Sequence, residues 1–132
     1  MKPAKPVKAL TPEKQTENQI LNYLKLRGIF CWKNQSVGIY DAKRGVYRKS
    51  SNQHHIKGTS DILGILPSGH FLAIEVKNEK GYASPEQKEF IRMINHHGGI
   101  AFVARSLQDV VDRFTKKDPN AIINERVNET QS

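Results

Sequence analysis

Cysteine is almost missing from this chain. Cys31 is the only one in 132 residues, so no intrachain disulfide can form and the fold must rest on packing. Such usage fits a reducing compartment, and the expected location is cytoplasmic, in a bacterial or phage-infected host cell. Long apolar runs are missing too. No stretch approaches the roughly 18 residues of a membrane-spanning helix, so no membrane association is expected. Lysines near the start are followed by no apolar segment, unlike a secretory signal. Acidic residues are scarce, with 13 aspartates and glutamates against 21 lysines and arginines, for a net charge of +8. A basic excess of this kind points to a polyanionic partner, nucleic acid first. Internal repeats are absent, and 132 residues suit one domain that can bury a real core.

What the chain does have is concentrated in residues 58–77, where two apolar runs flank a turn. Leu66-Pro67-Ser68-Gly69 has proline at the second position of a type I turn and glycine at the fourth, where a left-handed residue closes a hairpin. If Pro67, Ser68 and Gly69 form the loop, Leu66 faces His70. Ile65 then pairs with Phe71, Leu63 with Ala73 and Asp61 with Glu75. Side chains alternate along a strand, so Lys77 shares the face of Glu75. Two carboxylates directly opposite repel, and either one takes a proton or a divalent cation sits between them. The plainer reading is a surface ion pair between Glu75 and Lys77, with Asp61 merely opening its strand.

Thr11-Pro12-Glu13 has the composition of a helix start, and Gly28 is its expected stop. Ile20, Leu21 and Leu24 form the apolar stripe. Glu17 falls on the same stripe, where an acid is unusual unless it reaches water at the edge. Residues 29–33 are an expected strand, and residues 37–40 and 46–48 an expected pair joined by a basic turn. Lys33, Lys43, Arg44, Arg48, Lys49 and Lys57 are candidate nucleic-acid contacts around this hairpin, with Tyr40 and Tyr47 interleaved. The alternative is a solvated edge whose lysines discourage aggregation. A zinc site at His54 and His55 is disfavoured, because neighbours on an extended segment point apart and no third ligand is spaced nearby. His96 and His97 read more simply as cations at a helix end.

Ser84-Pro85-Glu86-Gln87 opens a second helix, and the Ser-x-x-Gln spacing is a capping box. Phe90, Ile91 and Ile94 form its stripe. Gln87 faces the same way, although the capping box alone explains it. Gly98 and Gly99 end the helix. Residues 100–104 are an apolar strand expected to lie centrally, and Ser106 caps a last helix with Leu107, Val110, Val111 and Phe114 inward. The domain is therefore expected over residues 11–115. Residues 1–10 form a basic arm, either a phosphate contact or a solvated tail, and residues 116–132 a tail, an extra helical turn or a subunit contact.

The pattern of Asp61, then Glu75-x-Lys77 at the end of the next strand, resembles the PD-(D/E)xK nuclease superfamily. The details around it resemble its VRR-NUC branch: Glu17 in the first helix, Lys57-Gly58 before the aspartate, Ile74-Glu75-Val76-Lys77, the Ser84 to Gln87 helix start, and Gly98-Gly99 before an apolar strand. Ser60 departs from the branch, which usually has proline there. The resemblance implies an α/β fold with a restriction-endonuclease-like core, a mixed sheet flanked by helices. It implies Mg²⁺ or Mn²⁺ held by Asp61, Glu75 and the Val76 carbonyl, with Glu17 joining directly or through water. It also implies a catalytic set of Asp61, Glu75, Lys77, Gln87 and Glu17, in which Lys77 positions water or stabilises charge and Gln87 orients Lys77 or a water. Stand-alone members, often from phages, resemble Holliday-junction resolvases acting as homodimers on four-way DNA junctions. A non-catalytic nucleic-acid-binding module, or a nuclease acting on flap DNA, linear DNA or RNA, stays open beside that expectation.

Overall fold

The computed structural model describes residues 9–35, 39–48 and 53–115. The first helix, α1 (Pro12–Leu26), starts as its sequence requires: the Thr11 hydroxyl accepts the Lys14 N–H at 3.3 Å and Pro12 fills the first position. It stops at Arg27, and Gly28 follows with a φ of 76°, in the left-handed region open to glycine. Ile20 and Leu24 are fully buried, each contributing about 1.5–3 kcal/mol.

Four strands form the main sheet: β1 (Phe30–Lys33), β4 (Ile62–Ile65), β5 (Phe71–Val76) and β6 (Ile100–Ala104), in the order β1-β4-β5-β6. A separate two-stranded sheet, β2 (Ile39–Asp41) with β3 (Val46–Arg48), makes the basic hairpin. The helices α2 (Pro85–His96) and α3 (Leu107–Thr115) flank β6 in sequence. β4 runs antiparallel to both β1 and β5, whereas β5 and β6 run parallel, with α2 as the crossover. The result is the mixed sheet with flanking helices expected of an α/β fold.

The central hairpin has the register set by its turn. Ile65 lies opposite Phe71 and Leu63 opposite Ala73. The Leu66 N–H donates to the His70 carbonyl at 2.8 Å, and Gly69, at φ 89°, donates back to Leu66 at 2.8 Å. Leu72, Ile74 and Val76 face a core shared with Ile20 and Leu24 of α1 and Val110 and Phe114 of α3. The alternate residues, Ala73 and Glu75, face the side on which α2 packs, since Gln87 of α2 bonds Glu75.

Two expectations need correction. β6 is an edge strand among the described residues, not a central one. Its apolar sequence reflects cover from helices, because Ile100, Ala101 and Ala104 are buried although β5 is its only neighbour in the sheet. The stripe of α2 is also only half-buried, and none of its residues is fully so. The helix is tied down instead by Asn95, whose side chain bonds both the N–H and the carbonyl of Ala101, at 2.8 and 2.9 Å. The expectations for residues 1–8, Val37, Lys49 and residues 116–132 lie outside the described residues.

Candidate active site

Glu75 is the centre of the site. It is the next-to-last residue of β5 and only 1% exposed, so it belongs to no surface ion pair. One of its oxygens, Oε1, accepts from Gln87 Nε2 at 2.9 Å and lies 3.6 Å from Lys77 Nζ. The other, Oε2, is buried without a hydrogen-bond partner. Asp61, immediately before β4, is held by two bonds. Its carbonyl accepts the Asn34 N–H at 2.7 Å, and its Oδ2 accepts the Val76 N–H at 2.9 Å. These bonds tie the end of β4 to both neighbours and present the Asp61 carboxylate to Glu75. Burial first, then the charge and contact of Asp61, push the Glu75 carboxyl from 4.5 up to about 8, and Lys77 only partly offsets them. The carboxylate conflict implied by the turn is therefore present, and in the absence of a cation a proton relieves it.

Gln87 serves two purposes at once. The Ser84 N–H donates to its Oε1 at 2.8 Å while the Gln87 N–H donates to Ser84 Oγ at 3.1 Å, which completes the capping box. With the amide oxygen committed to Ser84, the NH₂ is left to point at Glu75. Gln87 thus orients Glu75, whose Oε1 in turn faces Lys77. The α2 start is seated by Gly58, which has a φ of 80° and lies so close to the helix that a Cβ there would meet the Glu86 carbonyl and come within 2.6 Å of the Gln87 nitrogen.

Glu17 reaches the site from α1. It is 6% exposed, on the stripe where its spacing placed it, and its Oε1 lies 3.3 Å from Lys33 Nζ. Glu17, Asp61, Glu75, Val76, Lys77 and Gln87 all line one open cleft of about 530 Å³. Lys14, Lys33 and Glu13 line it as well. Of the other candidate nucleic-acid contacts, Lys43 and Arg44 lie in the turn between β2 and β3, where Arg44 pairs loosely with Asp41 at 3.9 Å. Lys57 lines a separate apolar groove along α2, and the side chains of Arg48 and Lys49 lie outside the described residues.

The donor set fits a hard divalent cation in part. Two adjacent carboxylates, one with a buried oxygen lacking any partner, are the oxygen ligands such ions seek. Among the described residues no three His, Cys, Asp or Glu side chains converge as a ready metal cluster. Glu17, engaged by Lys33, stands apart from the Asp61–Glu75 pair in that respect.

Two residues of the site were missed in the sequence. Arg105, just after β6, donates through one nitrogen to the Asn78 and Gly81 carbonyls at 2.6 Å each, pinning the loop that follows Lys77. Nothing local announces that reach. Lys14 had a signal, being three residues before Glu17 on the same helix face.

The family model of the VRR-NUC domain matches residues 11–108. Among solved structures, one VRR-NUC domain is similar with a TM-score of 0.59 at 21% identity, covering 83% of this chain and 100% of its own. A second VRR-NUC domain protein is similar with a TM-score of 0.55 at 26% identity, covering 80% of this chain and 85% of its own. Comparison with curated protein sequences gives no match.

Proposed function

This chain belongs to the VRR-NUC domain family, and on that premise we propose that it is a metal-dependent, structure-selective DNA endonuclease that resolves four-way junctions as a homodimer. The observation that carries the reading is the Asp61–Glu75 pair: two carboxylates forced together at the end of a buried hairpin, in a cleft that Lys14, Lys33 and Lys77 also line. Asp61, Glu75 and the Val76 carbonyl would hold Mg²⁺ or Mn²⁺, with Glu17 as an outer acid. A bound divalent ion supplies charge neutralisation at the scissile phosphate and lowers the pKa of an attacking water. Lys77 presents its ammonium beside Glu75, where it stabilises negative charge growing on the phosphate oxygens. Gln87 keeps Glu75 in one orientation, and Glu75 itself is buried while Asp61 stays half-exposed to the cleft. The dimer follows from symmetry: a four-way junction has a two-fold axis, and two copies of a single-site domain can face its opposed strands.

The test is a substrate panel. Native protein is incubated with Mg²⁺ or Mn²⁺ and a synthetic four-way junction, a flap, linear duplex DNA or RNA, and its mass is followed by sedimentation. Paired nicks on the junction by a dimer are expected. Cutting confined to flap, duplex or RNA would move the substrate, and binding with no cutting of any of them would leave only a binding module.

A further inference from the structure

The part of the sheet that α2 leaves uncovered is apolar and exposed. Strand register sets two rows on the face that carries Asp61 and Glu75: Trp32, Leu63 and Ala73, and beyond them Phe30, Ile65 and Phe71. Neither row contains a charged residue. The second row continues into α2, because the Ile94 side chain and the Phe71 carbonyl both crowd the same side of Gly99. Ile94 in turn lines a groove of about 560 Å³ along α2, together with Ile56, Phe90 and Met93. Phe30 is 68% exposed, Ile56 62%, Ile65 41%, and Trp32 and Met93 38% each. At about 200 Å² for each fully exposed side chain, these five leave roughly 500 Å² of apolar surface in water. That lies at the upper end of what a monomer exposes, and with a polar rim it approaches the roughly 800 Å² that one partner gives to a stable interface. The charged residues along the groove, Lys57, Glu86 and Glu89, are of both signs, which suits a protein and not a polyanion. The shape points to a second copy. Phe30 and Trp32 stack at 5.3 Å into a ridge, and the α2 groove lies on the same face. A ridge and a groove on one surface are what a two-fold axis can exchange between identical chains.

We propose that this face is the homodimer interface, with the Phe30–Trp32 ridge of each copy seated in the α2 groove of the other. The inference rests on the proposed function for the number of copies and needs nothing of its chemistry. It also ties the interface to the site. Trp32 stands two residues before Asn34, whose N–H bonds the Asp61 carbonyl, so the ridge begins about 7 Å from the row of the acids. An axis through this face holds two acid pairs at one fixed separation, as cuts on opposed strands require. Each copy carries a net charge of +8, so the copies repel through space while the apolar face holds them. Salt screens that repulsion, and the dimer tightens as salt rises. Nucleic-acid binding has the opposite salt dependence.

Trp32 is the only tryptophan in the chain, so its fluorescence reports on this face without any substitution. Native full-length protein, free of nucleic acid and in EDTA, is diluted stepwise at several salt concentrations. Sedimentation gives the mass, and acrylamide quenching gives the exposure of Trp32. A dimer is expected, with quenching that rises about twofold on dissociation, at the same midpoint as the mass. Higher salt should move that midpoint to lower protein concentration. Phe30→Lys and Ile65→Lys should weaken the dimer about tenfold or more, whereas Leu26→Lys, exposed on α1 across the sheet, should leave it unchanged. Melting curves accompany the variants, and if a lysine variant does not fold the native dilution series decides alone. A monomer at every concentration overturns the proposal. So does a dimer whose dissociation leaves Trp32 quenching unchanged, since it joins through another surface. Trp32 shielded in a monomer at every dilution would mean that the chain covers its own face. Shielding of a monomer by added duplex DNA would make the face a nucleic-acid contact. Either result also overturns it. Cleavage by native protein with Mg²⁺ is scored separately: a dimer of this kind that cuts nothing keeps the interface and sinks the nuclease reading, and cutting by a monomer does the reverse.

Discussion

Glu75→Gln is the most revealing single change, because it replaces a carboxyl that the fold holds protonated with a neutral group of the same shape. In the unfolded chain Glu75 titrates near 4.5, whereas in the fold burial and Asp61 raise it to about 8. Between those values the native state holds a proton that the unfolded state has released. Stability then falls as pH rises, by up to about 1.4 kcal/mol per pH unit, since the unfolded state binds fewer protons. Below about pH 4.5 both states are protonated and this contribution is fully present; above about pH 8 both are charged and it is gone. Metal-free native protein should therefore lose about 2 kcal/mol between about pH 6 and pH 7.5. Glu75→Gln should lose little over that range and be the more stable of the two at about pH 8. Urea denaturation in EDTA across the range measures both. Saturating Mg²⁺ should flatten the native profile, because a cation takes over from the proton. Parallel pH profiles for native protein and Glu75→Gln would refute the carboxylate conflict.

Other changes test the supports. Gly58→Ala should destabilise by about 2 kcal/mol or more, from its positive φ and from collision with the start of α2. Gly69→Ala, also at positive φ but with open space around it, should lose only the conformational part, and thermal melts compare the two. Gln87→Ala removes a cap and should lower stability by about 1 kcal/mol as well as slow cleavage. Gln87→Glu retains an acceptor for the Ser84 N–H, so it should melt closer to native protein yet cut as poorly, because it sets a third acid against Glu75. Ser60→Ala should raise stability by about 1 kcal/mol, since the Ser60 hydroxyl is fully buried with no partner; an unchanged or lower melting temperature would show that the hydroxyl is satisfied in solution.

Local chemistry was readable where short-range rules are strict. Pro67 and Gly69 specify the turn, the turn specifies the register, and alternation then puts Asp61, Glu75 and Lys77 together without any knowledge of the rest of the chain. Glu17 was readable because a 3.6-residue period brings an acid onto an apolar stripe. What depends on how elements pack was not readable. An apolar strand sequence reports cover on its faces and not its place in the sheet, so β6 reads as central although it lies at the edge. The pairing of Lys33 with Glu17 exists only once α1 lies against β1. Arg105 reaches carbonyls 27 and 24 residues back, which no local pattern encodes. Gln87 could be placed on the correct face, but its amide direction is settled by Ser84 on one side and Glu75 on the other.

The most direct measurement is Mg²⁺- or Mn²⁺-dependent cleavage of a four-way junction by native protein beside Asp61→Ala, Glu75→Ala and Lys77→Ala, each shown to be folded by its melting curve. A nuclease centred on the Asp61–Glu75 pair should cut only with the metal. The two carboxylate variants should be inactive, and Lys77→Ala should be slower by about 10²–10³-fold. Cleavage at the native rate by either carboxylate variant would contradict that assignment.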